Sequence, residues 1–152
     1  MRLNPQTYAL TAVCNERRCI FQRTANAELL IQTFLRYRDQ SRFLIHGFVV
    51  MPDHFNILLT PSEPIEKTAQ LIKGGFSFAM RKQYAGEVWQ DGYFAHRVTD
   101  ANDYPAQLGY IANNPIRKNY IDYPYVHTTG TWSLDQTPMA FSQPEIRSSP
   151  SG

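Results

Sequence analysis

Hydrophobic positions recur along this chain with two periods, two residues and about 3.6 residues, which predicts a mixed structure of strands and helices. Runs rich in β-branched and aromatic residues indicate four strands, at 7–14, 43–51, 54–60 and 93–99. Apolar residues three and four apart indicate three helices, at about 25–39, 62–84 and 103–114. The order β-α-β-β-α-β-α predicts an α+β fold: a ferredoxin-like antiparallel sheet (β-α-β-β-α-β) with one additional C-terminal helix.

The chain of 152 residues suits one domain, which we expect to span residues 1–124. Beyond about Tyr123 the content of Pro, Ser, Thr and Gln rises and the periodicity is lost. We therefore expect residues 125–152 to form a partly disordered C-terminal extension that packs through Tyr125 and Trp132 and frays after about Ser142.

Charge and composition exclude several classes of protein. Residues 1–118 carry 14 Lys and Arg against 10 Asp and Glu, a balance of +4, which is too small for a non-specific DNA-coating protein but sufficient for a local phosphate-binding stripe. No apolar run reaches the roughly 18 residues of a membrane span, the N-terminus lacks a signal-peptide pattern, and we predict a cytoplasmic protein. Cys14 and Cys19 have no partner pair at zinc-site spacing and are expected to be reduced thiols.

His54 and Asn56 are the first candidate functional residues. Side chains alternate along a strand, so residues 54 and 56 share one face while Phe55 points to the other. A lone histidine on a half-buried strand is more often a structural residue than a ligand. With an amide one pleat away, however, the pair could hold a divalent ion through nitrogen and oxygen, and such an ion would polarise a phosphoryl group.

Tyr110 and Asn114 form a second candidate pair, four residues apart on a helix that Asn102 or Asp103 caps and that we expect to end before Pro115. Tyr110 could be a core aromatic residue with a solvated hydroxyl. It could instead be a nucleophile, provided that a cation or base helps to ionise a phenol whose usual pKa is near 10. A covalent phosphotyrosine would conserve the phosphodiester energy, in keeping with the absence of a P-loop or dinucleotide motif from the sequence.

Basic and aromatic residues alternate in the second half of the chain, a combination that holds single-stranded nucleic acid by stacking and phosphate contacts. The alternative is a hydrophobic strand with solvated edges. Two interior glycines, Gly74 and Gly75, interrupt the predicted helix there and indicate either close packing or the approach of backbone to a ligand. The candidate DNA-binding residues are Lys73, Arg81, Lys82, Trp89, Arg97, Arg117 and Lys118.

Four blocks of the sequence resemble, in order, the REP-associated tyrosine transposases, which belong to the HUH (His-hydrophobic-His) single-tyrosine transposases. The blocks begin at Val49, Leu71, Trp89 and Tyr110 and read VVMPDHFNILL, LIKG, WQDGY and YIANNP. The resemblance implies a ferredoxin-like nuclease acting on single-stranded or hairpin DNA, a 5′-phosphotyrosine intermediate and a magnesium- or manganese-type ion. It also implies roles for individual residues: Tyr110 as the nucleophile, and His54, Asn56 and Asn114 as metal ligands.

The resemblance has one departure, since the family carries a second histidine where this chain has Asn56. An amide oxygen is a harder, neutral and weaker ligand than imidazole. We therefore retain two hypotheses: a metal-dependent DNA nickase and strand-transferase, and a binding module that recognises structured DNA or RNA without cutting it. A ferredoxin-like RNA-binding domain is a third interpretation, but its ribonucleoprotein signature is missing from the first strand. Whether the protein is an enzyme or a binding module, we expect it to be a monomer or a homodimer. We expect DNA as its partner and no nucleotide cofactor.

Overall fold

The computed structural model describes residues 6–117, 126–127 and 135–141. Five strands and three α-helices are formed there, in the order β1 (Tyr8–Val13), α1 (Thr24–Asp39), β2 (Phe43–Met51), β3 (His54–Pro61), α2 (Ile65–Met80), β4 (Phe94–Arg97), α3 (Asp103–Arg117) and β5 (Val126–His127). No helix among these described residues is long and apolar enough to cross a bilayer.

The strands form one antiparallel sheet in the order β4-β1-β3-β2-β5. Its first four strands have the ferredoxin-like arrangement, so the predicted fold class is confirmed, and the short β5 extends the sheet beside β2. The β2–β3 hairpin has the bounds that alternation of apolar residues predicts, apart from one more residue, Pro61.

Each face of the sheet has its own hydrophobic core. On one face, α1 and α2 cover the odd-numbered β3 residues Phe55, Ile57 and Leu59, and six aromatic rings pack there: Phe21, Phe34, Phe48, Phe55, Phe76 and Trp89. On the other face, α3 covers a smaller cluster that contains Ala9, Val49, Met51, Leu58, Val98, Tyr104 and Ile111. The even-numbered β3 residues His54 and Asn56 point to the other face, the one that α3 covers.

Two predicted helix features are wrong. The glycines do not interrupt α2, which is continuous to Met80 and ends before Tyr84; Gly75 instead allows close packing, because a Cβ there would lie 2.3 Å from the Tyr37 hydroxyl of α1. α3 does not end before Pro115 but continues to Arg117. Proline removes one N–H donor but has a helical φ, and only two helical residues follow it, so the last turn tolerates it.

Part of the C-terminal extension packs on the domain. Asp135 accepts two hydrogen bonds from Arg38 of α1, at 2.7 and 3.0 Å, and one from the backbone N–H of Ile45 at 2.8 Å. Phe141 stacks on Tyr104 of α3, with ring centroids 5.5 Å apart. The expected contacts of Tyr125 and Trp132, and the fraying after Ser142, lie outside the described residues. Both cysteines are free thiols, Cys14 buried and Cys19 exposed.

Candidate functional site

The candidate residues of β3 lie in the central strand of the five-stranded sheet. In the antiparallel register, His54 stands between Val13 of β1 and Met51 of β2, and Asn56 stands between Thr11 and Val49. Directly opposed residues of antiparallel strands project to the same face. His54 and Asn56 therefore project toward the layer that α3 occupies, flanked on both sides by strand residues.

His54 is oriented by the residue before it. Its Nδ1 lies 2.8 Å from Oδ1 of Asp53, whose other oxygen accepts a hydrogen bond from Nε of Arg17 at 3.1 Å. Burial raises the pKa of Asp53, but the hydrogen bond from His54 and the charges of His54 and Arg17 outweigh it and lower the net pKa below its usual value. With Nδ1 of His54 held by this carboxylate, Nε2 is the ring nitrogen that remains to face a ligand.

Asn56 and Asn114 have the most unusual environments in the site. Their side chains are 5% and 2% exposed, and in both the amide Oδ1 is buried without a hydrogen-bond donor among the described residues. A buried oxygen left in this way costs about 1–3 kcal/mol. Each of these two oxygens is a group that a bound ligand would satisfy.

Tyr110 is not a core aromatic residue. It is 44% exposed, one helical turn before Asn114, while its neighbour Ile111 is fully buried against the sheet. α3 packs on this face of the sheet through Tyr104, whose ring lies 5.7 Å from that of His46 on β2, and through Ile111, which shares a buried cluster with Met51. Asn114 follows Ile111 by three residues and is buried on the same side of the helix.

The candidate DNA-binding residues do not form one surface. Trp89, expected to be exposed, is 7% exposed in the aromatic core, and its indole N–H donates to the Lys73 carbonyl. Lys73 donates to the carbonyls of Gln90 and Gly92, at 3.1 and 2.8 Å, and so holds the loop before β4. Burial lowers the pKa of Lys73, and Asp91 partly offsets this effect.

The remaining basic candidates are distributed around the domain. Arg81 and Lys82 are exposed just after α2, on the opposite side of the sheet from His54, and the Arg81 guanidinium lies 3.7 Å from the centroid of the Phe78 ring. Arg97 is exposed on β4, where it donates to Gln6. Arg117 is the last residue of α3, and Lys118 lies outside the described residues.

Sequence reasoning missed the Asp53–Arg17 pair. Asp53 could have been found from its position next to His54, but Arg17 lies 36 residues away and no local pattern links it to the site. Glu16 and Arg17 both have left-handed backbone conformations, with φ of 56° and 52°. Such conformations are unfavourable for residues other than glycine. Here Glu16 and Arg17 adopt them in the turn from which Arg17 reaches Asp53.

Known proteins of similar sequence and structure are consistent with this arrangement. A family model described as "Transposase IS200 like" matches residues 3–114. An uncharacterized protein of Haemophilus influenzae is 24% identical over 143 residues, covering 72% of this chain and 79% of that protein. The REP-associated tyrosine transposase of Escherichia coli is 23% identical over 109 residues, and the match spans 67% of this chain and 64% of the length of that relative.

Two solved structures share the fold. A REP-associated tyrosine transposase bound to a REP hairpin superposes with a TM-score of 0.69 at 21% identity, covering 92% of this chain and 94% of that chain. A candidate transposase of Deinococcus radiodurans gives a TM-score of 0.56 at 21% identity, covering 74% and 92%. Because the family model spans both strands of the hairpin and α3 as far as Asn114, the chain belongs to the IS200-like transposase family of DNA-processing enzymes.

Proposed function

We propose that this chain is a metal-dependent endonuclease and strand transferase that acts on single-stranded or hairpin DNA, with Tyr110 as the nucleophile. In this proposal His54, Asn56 and Asn114 hold the divalent ion. The observations that carry it are the buried, unsatisfied amide oxygens of Asn56 and Asn114, and a histidine, two residues before Asn56 on the same strand face, whose Nδ1 is already held by Asp53.

The donor set fits a hard divalent cation. Amide oxygens and one imidazole nitrogen are acceptable ligands for Mg²⁺ or Mn²⁺, and water and phosphate oxygens would complete the coordination shell. Bound there, the ion would supply Lewis-acid polarisation of the phosphoryl group. The cost of burying two unpaired oxygens would then be recovered on binding.

The proposed reaction is a transesterification at phosphorus. The Tyr110 phenolic oxygen forms a bond to the phosphorus while the bond from phosphorus to O3′ breaks. The phenolic proton is lost to solvent, to which Tyr110 is accessible, and the departing O3′ gains a proton to become a free 3′-OH. The product is a 5′-phosphotyrosine, and attack by another 3′-OH reverses the step and joins strands without a nucleotide cofactor.

Hairpin DNA is the proposed partner because a structural relative was solved with a REP hairpin bound. The +4 balance of residues 1–118 supports an electrostatic contribution to binding. Of the candidate DNA contacts, the exposed residues Arg81, Lys82 and Arg97 remain suited to phosphate groups, and Arg117 and Lys118 stay proposals from sequence. Lys73 and Trp89 are better suited to supporting the loop that precedes β4.

The second candidate function is DNA binding without cleavage. It is favoured by Asn56 itself, because a neutral amide replaces the second imidazole that the family pattern implies and should hold the ion less tightly. The two functions differ in whether a covalent intermediate is formed.

A covalent adduct tests the proposal. A pool of hairpin oligonucleotides with randomised single-stranded flanks, incubated with Mn²⁺, should give an adduct on a denaturing gel that retains a 3′-end label and loses a 5′-end label. Tyr110→Phe should abolish the adduct without weakening DNA binding, whereas Tyr84→Phe, at a partly exposed tyrosine on the other side of the sheet, should leave it unchanged. DNA binding by the unmodified chain with no adduct would support the binding module instead.

A further inference from the structure

A cavity of about 160 Å³ opens on the α3 face of the sheet, beside the candidate site. Its floor is formed by Thr11 and Val13 of β1, and its wall by residues 90–94. Thr11 is the register partner of Asn56, and Val13 is the register partner of His54. The cavity therefore adjoins both candidate ligands from the neighbouring strand.

Phe94 stands at the outer edge of this cavity. It pairs with Thr11, so Phe94, Thr11 and Asn56 form one row across three strands on the same face. At about 4.8 Å per strand, the backbone of Phe94 lies roughly 10 Å from that of Asn56. The ring is 68% exposed, which is unusual for a large apolar side chain and leaves its surface open to a partner.

The wall of the cavity is preformed. Gly92 has a left-handed φ of 82°, a conformation that glycine adopts without strain, and the Lys73 ammonium binds the carbonyls on either side of Asp91. The backbone N–H of Gln90 donates to Val13 at 2.9 Å, which ties the loop to β1. A loop held from both sides can present its side chains without a large ordering cost.

We propose that this cavity binds an unpaired base of the substrate strand, stacked on Phe94, and that it prefers bases with an exocyclic amino group. Stacking on an exposed aromatic ring is the usual way that proteins hold single-stranded DNA. Asp91 and Gln90 are among the residues that line the cavity, and a carboxylate repels phosphate but accepts a hydrogen bond from a base amino group. This inference rests on the proposed function, since it assigns a strand path leading to that site.

The test is equilibrium binding of fluorescein-labelled (dA)12, (dC)12 and (dT)12 in EDTA, which keeps cleavage and metal binding out of the measurement. The unmodified chain should prefer (dA)12 and (dC)12 to (dT)12. Phe94→Ala should weaken binding of all three by roughly tenfold, Phe94→Trp should restore it, and Asp91→Ala should reduce the preference. Leu44→Ala is the control, because Leu44 is another exposed apolar side chain, 47% exposed, but pairs with Thr60 at the end of the β2–β3 hairpin farthest from His54.

Other results would overturn the inference. These are unchanged affinity in Phe94→Ala, an equal loss in Leu44→Ala, or no preference among the three oligonucleotides. A dimer that becomes a monomer in Phe94→Ala, measured by sedimentation, would assign the exposed ring to self-association instead. Because the assay needs neither Tyr110 nor the ion, an adduct without base binding contradicts only this inference, and base binding without an adduct contradicts only the proposed function.

Discussion

The side chain of Asn56 combines two properties that rarely occur together, near-complete burial and an amide oxygen with no donor among the described residues. A metal ion would explain both. Because the proposed ligand at this position is a neutral amide, the residue also offers a direct test of how much the missing imidazole costs.

Asn56→His should tighten binding of Mn²⁺ roughly tenfold or more, because a borderline nitrogen donor would replace a weaker amide oxygen on the same strand face as His54. Calorimetric titration of both proteins with Mn²⁺ measures this. Adduct formation should increase in parallel. Equal affinities and equal adduct yields would show that Asn56 already serves as a full ligand.

Asp53 should act as a positioning residue for His54. Asp53→Ala removes the acceptor for Nδ1 and should weaken Mn²⁺ binding roughly 10- to 100-fold, the usual effect of losing a hydrogen-bond partner of a metal-bound histidine. Asp53→Asn retains an acceptor oxygen and should lose less. Mn²⁺ affinity in the absence of DNA is the readout, and equal affinities of all three proteins would contradict the role.

At the scale of elements, the contact between α1 and α2 depends on one glycine. Gly75 meets the Tyr37 ring of α1, whereas a Cβ at Gly74 would meet nothing within 4 Å. Two adjacent glycines in one helix therefore have different physical reasons to be present, and they provide a matched pair of substitutions.

Gly74→Ala should stabilise the protein by about 1 kcal/mol through helix propensity alone. Gly75→Ala gains the same propensity but must displace the Tyr37 ring, at a cost of about 1–3 kcal/mol, and should be the less stable of the two. Adding Tyr37→Phe to the Gly75→Ala variant removes the hydroxyl oxygen, the atom nearest to the new Cβ, and should recover part of the difference in stability. Urea unfolding of the unmodified protein, the two glycine variants and the combined Gly75→Ala/Tyr37→Phe variant measures their free energies of unfolding. Equal gains from both glycine substitutions would contradict this account.

At the scale of the whole molecule, a chain of buried polar groups connects β2, β3, the residue before β1 and the C-terminal segment. Nε2 of His46 is 2.9 Å from the Thr60 hydroxyl, which lies 2.7 Å from that of Thr7, and Nδ1 faces the carbonyl of Asp135. Burial lowers the pKa of His46 below 6.5, and Asp135 offsets only part of this effect. The folded protein therefore favours neutral His46.

The stability should fall in mild acid for this reason. A histidine whose pKa is lower in the folded state contributes its full stability above the unfolded value of 6.5 and loses it as the pH falls toward the folded value. His46→Gln cannot titrate, so its free energy of unfolding should change less between pH 7 and 5. Urea titrations at several pH values provide the measurement, and parallel pH profiles for the two proteins would exclude His46 as the source.

Local patterns in the amino-acid sequence were enough to predict the order of elements as far as α3, the hairpin at 43–60 and the shared face of His54 and Asn56, because these depend on periodicity and on the alternation of side chains along a strand. Periodicity also indicates that Tyr110 and Asn114 lie on neighbouring parts of one helix. It does not state which surfaces are covered by other elements.

The burial and the hydrogen-bond partners of the individual site residues could be known only from the folded chain. The burial of Trp89, the attachment of Lys73 to the 90–92 loop and the reach of Arg17 to Asp53 all depend on contacts between segments far apart in sequence. The exposed ring of Phe94 and the unsatisfied oxygens of Asn56 and Asn114 depend likewise on how β4 and α3 pack on the sheet. Local patterns specify what a residue could do, and long-range packing determines whether its polar atoms are satisfied, buried or left for a ligand.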